Sequence, residues 1–207
     1  MQTKNEIKTA LLLSCVQSLN HKPRNLVNPK MVFKDSFASI KHAGHPRTFV
    51  MRWNPEVSNH KIVDFEDSME AFFDHDFSYD WCIKDYEAAK VGDQFFMLKV
   101  GKGNTGIVMQ GTIASLPYKD EDWSGQGRDV RYVRMHPECM INPEKTMNLL
   151  STDALNIAIP SMSWNEGHSG VLLTREQALK LEHEWLSYLN SFVKPLNLKN
   201  NGNVENI

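Results

Sequence analysis

The side chains best suited to chemistry in this chain are its tryptophans: Trp53, Trp81, Trp123, Trp164 and Trp185. Trp185 falls on the apolar stripe of a C-terminal helix and reads as core. The other four fall at strand ends or in loops, each beside hydrogen-bonding residues: Arg52 and Asn54, Asp80, Asp122 and Ser124, Ser163 and Asn165. Aromatic walls with a few fixed polar groups suit a flat, polar-edged ligand such as a nucleobase, and stacking on such walls contributes ~1–3 kcal/mol per base. For Trp123, in an acidic, glycine-flanked loop, a lid over the end of the fold is the competing reading.

The enzyme motifs are incomplete. His136-Pro137-Glu138-Cys139 contains the H-x-E that begins a zinc deaminase signature, but no cysteine follows Cys139 to complete the ligand set. There is no H-E-x-x-H, G-x-S-x-G or Walker A lysine motif. Gly101-Lys102-Gly103 joins two strands, whereas a phosphate-cradling loop opens a helix. His168 and Ser169 are adjacent in the chain, and on a strand they would point apart. We therefore expect no catalytic residues, no metal site and no cofactor. Asp122 or Glu166 could serve as a base in a pocket, but no spacing argues for it.

Several elements must position these groups. The central one is the stretch 91–125. Phe95 to Val100 and Ile107 to Leu116 read as a core hairpin, joined by a loop whose Gly101, Gly103, Asn104 and Gly106 supply left-handed positions. Gly111 marks a bulge or close backbone approach. Thr48 to Trp53 is the first strand of the main domain. Ile62 to His75 is a helix with Phe65, Met69, Phe72 and Phe73 at core spacing. Asp85 can cap a short turn over Tyr86 to Lys90. Asp129 to Met135 alternates as a strand that His136-Pro137 stops. Ser151 to Leu155 is a capped turn and Val171 to Leu173 a short strand. Thr174 with Gln177 has the spacing of a capping box for a helix running to about Asn190, with Leu181, Trp185, Leu189 and Phe192 as its stripe. The N-terminal residues 4–20 form an amphipathic helix whose stripe of Ile7, Leu11, Cys15 and Leu19 needs a partner, either the main domain or a second copy.

With 207 residues and formal net charge −2, the chain is long enough for one main domain, and its overall charge argues neither for nor against nucleic acid. Residues 21–47 are basic. They read as a phosphate-contacting arm or as a solvated linker. Three widely spaced cysteines without a signal-peptide pattern suggest a reducing, cytoplasmic setting. No apolar run approaches a membrane span of roughly 18 residues. The expected division is 1–45 (helix and basic linker), 46–192 (main domain) and 193–207 (flexible tail).

The order of motifs resembles the EVE-like branch of the PUA-like superfamily, related to YTH domains. The resemblance covers roughly residues 46–190. It is carried by the strand ending in Arg52-Trp53-Asn54-Pro55, the turn Ala88-Ala89-Lys90-Val91-Gly92-Asp93, the run Thr105-Gly106-Ile107-Val108 followed by Gly111, and Trp164 with His168-Ser169-Gly170. Such domains are similar to those fused to bacterial modification-dependent restriction nucleases. The resemblance implies an α+β fold: a PUA-like curled β-barrel of about five to six strands flanked by helices, here with an N-terminal helical extension. It also implies an aromatic cage that receives a modified base, flipped from DNA or presented by RNA. Trp53, Asn54, Trp81, Trp164 and Ser169 would border the cage, while Trp123 matches no family motif. Arg47, Arg52, Arg128, Arg131 and Arg134 would hold phosphates, or else form ordinary surface ion pairs. Nucleic acid with a modified base is the expected partner, DNA ahead of RNA. A nuclease partner protein and a homodimer through the N-terminal helix are further expectations. A small-molecule sensor or protein-interaction module is the alternative, supported by the acidic stretches 64–67 and 120–122.

Overall fold

The computed structural model describes residues 46–72, 77–146 and 148–200, with side chains to residue 191. The N-terminal helix and most of the basic arm, the side chains of Phe73 and Phe192, and the end of the tail lie outside the described residues. Among the described residues, seven strands form one mixed sheet: β1 (Thr48–Trp53), β2 (Tyr79–Cys82), β3 (Gln94–Lys99), β4 (Gly106–Ile113), β5 (Tyr118–Lys119), β6 (Arg131–Met140) and β7 (Val171–Leu172). Three helices accompany them among the described residues: α1 (Ile62–Ala71), α2 (Thr152–Ala158) and α3 (Arg175–Asn200). The strand order is β2-β6-β4-β3-β1-β7, with the short β5 also on β6.

The expected hairpin is the centre of this sheet. β3 and β4 pair antiparallel, and β1 lies parallel to β3 from Thr48 opposite Gln94 to Trp53 opposite Lys99. All six residues of β1 are buried, as expected of a strand with parallel pairing and both faces covered. Its alternation sorts two cores. Phe49, Met51 and Trp53 face one with Phe65 and Met69 of α1. Val50 faces the other with Leu155 of α2 and Leu181, Trp185 and Leu189 of α3.

The sheet curls until its two edges meet. Just beyond β2, the Lys84 and Asp85 amides donate to the carbonyls of Ser169 and Gly170, which precede β7, at 3.0 Å each. The Leu172 amide donates to the Asp85 carboxylate at 2.8 Å. This seam closes a curled α+β sheet of the kind expected, with seven strands among the described residues rather than five or six.

Local expectations fared unevenly. The Thr174 hydroxyl accepts from the Gln177 amide and the Gln177 side chain accepts from the Thr174 amide, a complete capping box. Ser151 caps α2 through the Ala154 amide. Asp85 does not cap the short 3₁₀ turn Tyr86–Ala88, because its carboxylate is spent across the seam. His136-Pro137 does not stop β6. Pro137 lies opposite Gly111, where the β4–β6 register shifts, so the missing N–H falls at an irregularity in the ladder. Gly111 is required there: an added Cβ would stand 2.1 Å from the His136 carbonyl oxygen. α3 runs on to Asn200 instead of ending near Asn190.

Candidate nucleobase site at the seam

The seam positions an aromatic box. Trp81, on edge strand β2, donates its indole N–H to the Ser169 hydroxyl at 3.0 Å, and that same oxygen accepts the Arg52 backbone amide at 3.0 Å. One hydroxyl thus orients Trp81 relative to the end of β1. Trp53, at that end, is fully buried and stacks on Phe65 of α1 with ring centroids 4.7 Å apart. Its indole N–H donates to the His60 carbonyl at 2.7 Å. Tyr79, two residues before Trp81 and so on the same face of β2, completes the box, and the His60 imidazole sits within it. His60 lies 5.3 Å from Tyr79, 5.7 Å from Trp53, 6.1 Å from Trp81 and 6.3 Å from Phe65 by ring centroid.

Beside the box lies an open cleft of roughly 410 Å³, walled by Val57, Ser58, Asn59 and Lys61 on one side and by Trp123, Ser124 and Gln126 on the other. The Trp123 loop is held by Asp122, which accepts from the Ser124 amide and hydroxyl, the Arg128 amide and the Arg128 guanidinium. Arg128 in turn lies 5.3 Å over the Trp123 ring, a cation–π contact. The guanidinium bonds hold the Asp122 carboxyl well below the usual carboxylate range. The Trp123 indole reaches the free Cys82 thiol, which burial pushes up in pKa. The Trp123 loop therefore rests against the residue that follows Trp81.

The structure brings Trp53, Trp81 and Ser169 together and sets Trp123 at the rim. It does not bring Trp164 there. Trp164 is fully buried in the second core with Val50, Phe96 and Trp185, its indole N–H bonded to the Ile159 carbonyl at 3.0 Å. It lies across the sheet from Trp53 and cannot line the same cavity. Asn54 shapes the turn: its side-chain oxygen accepts from the Glu56 amide, and its carbonyl accepts from the Val57 and Ser58 amides.

The arginines are also committed. Arg52 is 9% exposed, and its guanidinium donates to the Ser163 and His168 carbonyls, clamping the loop before the seam. Placed so deep, it is not available to a phosphate, and burial lowers its pKa. Arg128, Arg131 and Arg134 pair with Asp122, Asp129 and Asp80. Arg47 sits at the opposite end of β1 from Trp53, so roughly 20 Å of strand separates the two. The surface ion-pair reading describes three of these five side chains, and internal anchoring describes Arg52.

Three box residues, His60, Phe65 and Tyr79, were not singled out as site residues by the sequence. His60 carries no pattern: it follows a turn of Pro55 to Asn59 and precedes α1. Phe65 reads as helix core, which it is, yet it also braces Trp53. Among the described residues no group of three or more His, Cys, Asp and Glu side chains gathers to hold a metal. No described helix is long and apolar enough to cross a membrane.

Burial lowers the His60 pKa, with Asp64 pulling weakly the other way. The unfolded chain takes up a proton near pH 6.5, before the folded chain does. Stability from the neutral imidazole is therefore present above about pH 6.5 and is lost as the pH falls from there through the lower folded value. We expect the thermal midpoint of the wild type to fall relative to that of His60→Phe between about pH 7.5 and about pH 5. Parallel pH profiles for the two proteins would show that this imidazole does not titrate as described.

No family model matches the chain, and no curated protein matches it in sequence. Similar folds are found among solved structures. A hypothetical protein from Leishmania major is 13% identical, with TM-score 0.47 over 71% of this chain and 99% of that one. Human THYN1, solved in complex with DNA containing 5-methylcytosine, is 15% identical, with TM-score 0.45 over 67% of this chain and 97% of that one. The YTH domain of Zygosaccharomyces rouxii MRB1, solved with N6-methyladenosine RNA, is 14% identical, with TM-score 0.34 over 67% and 83%.

Proposed function

We propose that this chain is a non-catalytic binding domain that receives a modified nucleobase in the aromatic box at the seam, from DNA ahead of RNA. THYN1 and the YTH domain were solved with methylated nucleic acid. The observation that carries the reading is the box itself: Trp81 fixed by Ser169, Trp53 braced on Phe65, and an open cleft alongside under Trp123. A core built for packing alone has no need to orient an edge-strand tryptophan through a hydroxyl that is shared across the seam.

Flipping a base out of a duplex costs a few kcal/mol, and stacking returns ~1–3 kcal/mol per base. A methyl group buried against these rings adds roughly 0.8 kcal/mol, enough to favour a modified base over its plain counterpart by a few fold. The paired arginines bear on the backbone. Phosphates approaching Arg128, Arg131 or Arg134 must compete with Asp122, Asp129 and Asp80, so the affinity should fall only modestly with salt. Any cleavage would come from a separate protein such as a nuclease, in a cytoplasmic setting.

The acids support a second reading. A broad concavity on the far side of the Trp123 loop is lined by Asp120, Glu121, Asp122 and Asp129 with Lys119 and Arg128, a surface better suited to a small molecule or a protein than to phosphate. Oligonucleotides that differ by a single methyl group, titrated at low and moderate salt, separate the two. Preference for the methylated partner supports the nucleobase reading. Equal or absent binding at every salt concentration, with a protein or metabolite retained instead, supports the other.

A further inference from the structure

The aromatic box already contains a ring. The His60 imidazole is surrounded by Trp53, Phe65, Tyr79 and Trp81, close to perpendicular to Tyr79 (88°) and Trp81 (86°). Its Nε2 is buried and makes no hydrogen bond. The Tyr79 hydroxyl is also buried and faces Ser68, whose own hydroxyl donates to the Asp64 carbonyl at 2.6 Å. The imidazole nitrogen is thus left without a partner among aromatic rings. Native cores rarely leave such groups unpaired, since each is a cost to folding. A phenylalanine at position 60 would supply a ring without that cost.

The backbone of His60 is held independently of its side chain. The carbonyl accepts the Trp53 indole N–H at 2.7 Å, and the amide donates to the Ser58 hydroxyl at 3.1 Å. Rotation about the side-chain bonds therefore leaves the loop anchored. The neighbouring residues Asn59 and Lys61 line the open cleft, so the space needed to receive a displaced imidazole adjoins the box. What would be left is an enclosure with aromatic walls and the Tyr79 hydroxyl at its edge, fit for an uncharged, planar heteroaromatic ring with polar edges.

We propose that the His60 imidazole is an internal stand-in for the base: it fills the seat in the free protein, and binding requires it to turn out into the cleft while the incoming heteroaromatic ring takes its place. This inference rests on the nucleobase reading for the ligand's identity, but the exchange of one ring for another can be tested without nucleic acid. Because only the fraction of molecules with an empty seat can bind, emptying it permanently raises apparent affinity by the reciprocal of that fraction.

The test uses His60→Gly and His60→Phe in the full chain, with free imidazole and a methylated oligonucleotide as probes. Imidazole at millimolar concentration should raise the thermal midpoint of His60→Gly and leave that of the wild type unchanged. His60→Gly should bind the oligonucleotide about tenfold more tightly than the wild type. His60→Phe, whose ring carries no unpaired nitrogen to favour its departure, should be at least as stable as the wild type and bind about tenfold more weakly. If His60→Gly does not fold, His60→Phe alone decides, and unchanged affinity in it overturns the proposal. The proposal is also overturned if folded His60→Gly ignores imidazole, or if it binds the oligonucleotide more weakly than the wild type, which would make His60 a ligand contact. Rescue of His60→Gly by imidazole without oligonucleotide binding by any of the proteins would uphold the exchange and refute the nucleobase reading.

Discussion

Gly170→Ala is expected to lower stability by about 3–5 kcal/mol, the largest effect of any single methyl group added at the site. Gly170 holds φ +73°, and an added Cβ would stand 2.4 Å from the Ile83 Cα and 2.6 Å from its Cγ1. Left-handed backbone alone costs a non-glycine residue roughly 1–2 kcal/mol. The clash adds to this, because the obstacle is main chain and cannot rotate away. Gly170 also donates to the Val50 carbonyl and accepts from the Asp85 amide, so any shift opens the seam on both sides. For a domain of this size the thermal midpoint should fall by roughly 10 °C. Gly92→Ala is the control: its φ is +89° but nothing lies within 4 Å of the added atom, so it should cost about 1 kcal/mol. Equal costs for the two variants would mean that the edges do not meet as described.

Trp81→Ala is expected to weaken binding of a methylated oligonucleotide by about 5- to 150-fold, the equivalent of ~1–3 kcal/mol of stacking. Trp81 is only partly buried, and its indole N–H is its one hydrogen bond to the seam. Its removal should therefore reduce affinity by far more than it disturbs folding. Trp164→Phe gives the contrast. That residue lies in the other core, so its replacement should lower stability and leave affinity within about twofold. The two are compared by fluorescence anisotropy under conditions where both remain folded. If Trp164→Phe lost as much affinity as Trp81→Ala, the site would have to span the sheet.

Both variants turn on contacts that sequence patterns cannot reach. Local chemistry was legible: the glycine-rich hairpin loop, the close approach at Gly111, and the Thr174–Gln177 capping box all depend on residues near one another in the chain or on backbone freedom. Strand β6 was cut short because proline usually ends a ladder, and only a register shift opposite Gly111 accommodates Pro137. Asp85 read as a local cap, but its partner is Leu172, 87 positions away. Trp53 and Trp164 looked alike, each beside polar residues at the end of a short apolar run. Their fates were decided by which face of the sheet each side chain meets. Arg128 looked suited to phosphate; it is paired with Asp122 and braces Trp123, a cluster that forms only when the loop closes on itself. His60 had no signature at all, since what distinguishes it is an environment assembled from β1, α1 and β2.

The most direct test of the site's location is the set of tryptophan indole N–H resonances, five in this chain, followed by NMR as a methylated oligonucleotide is added. The Trp53, Trp81 and Trp123 signals should shift together and saturate at one concentration, while those of Trp164 and Trp185 stay in place. Movement of Trp164 with the base, or saturation of binding with the Trp81 signal unmoved, would contradict that location.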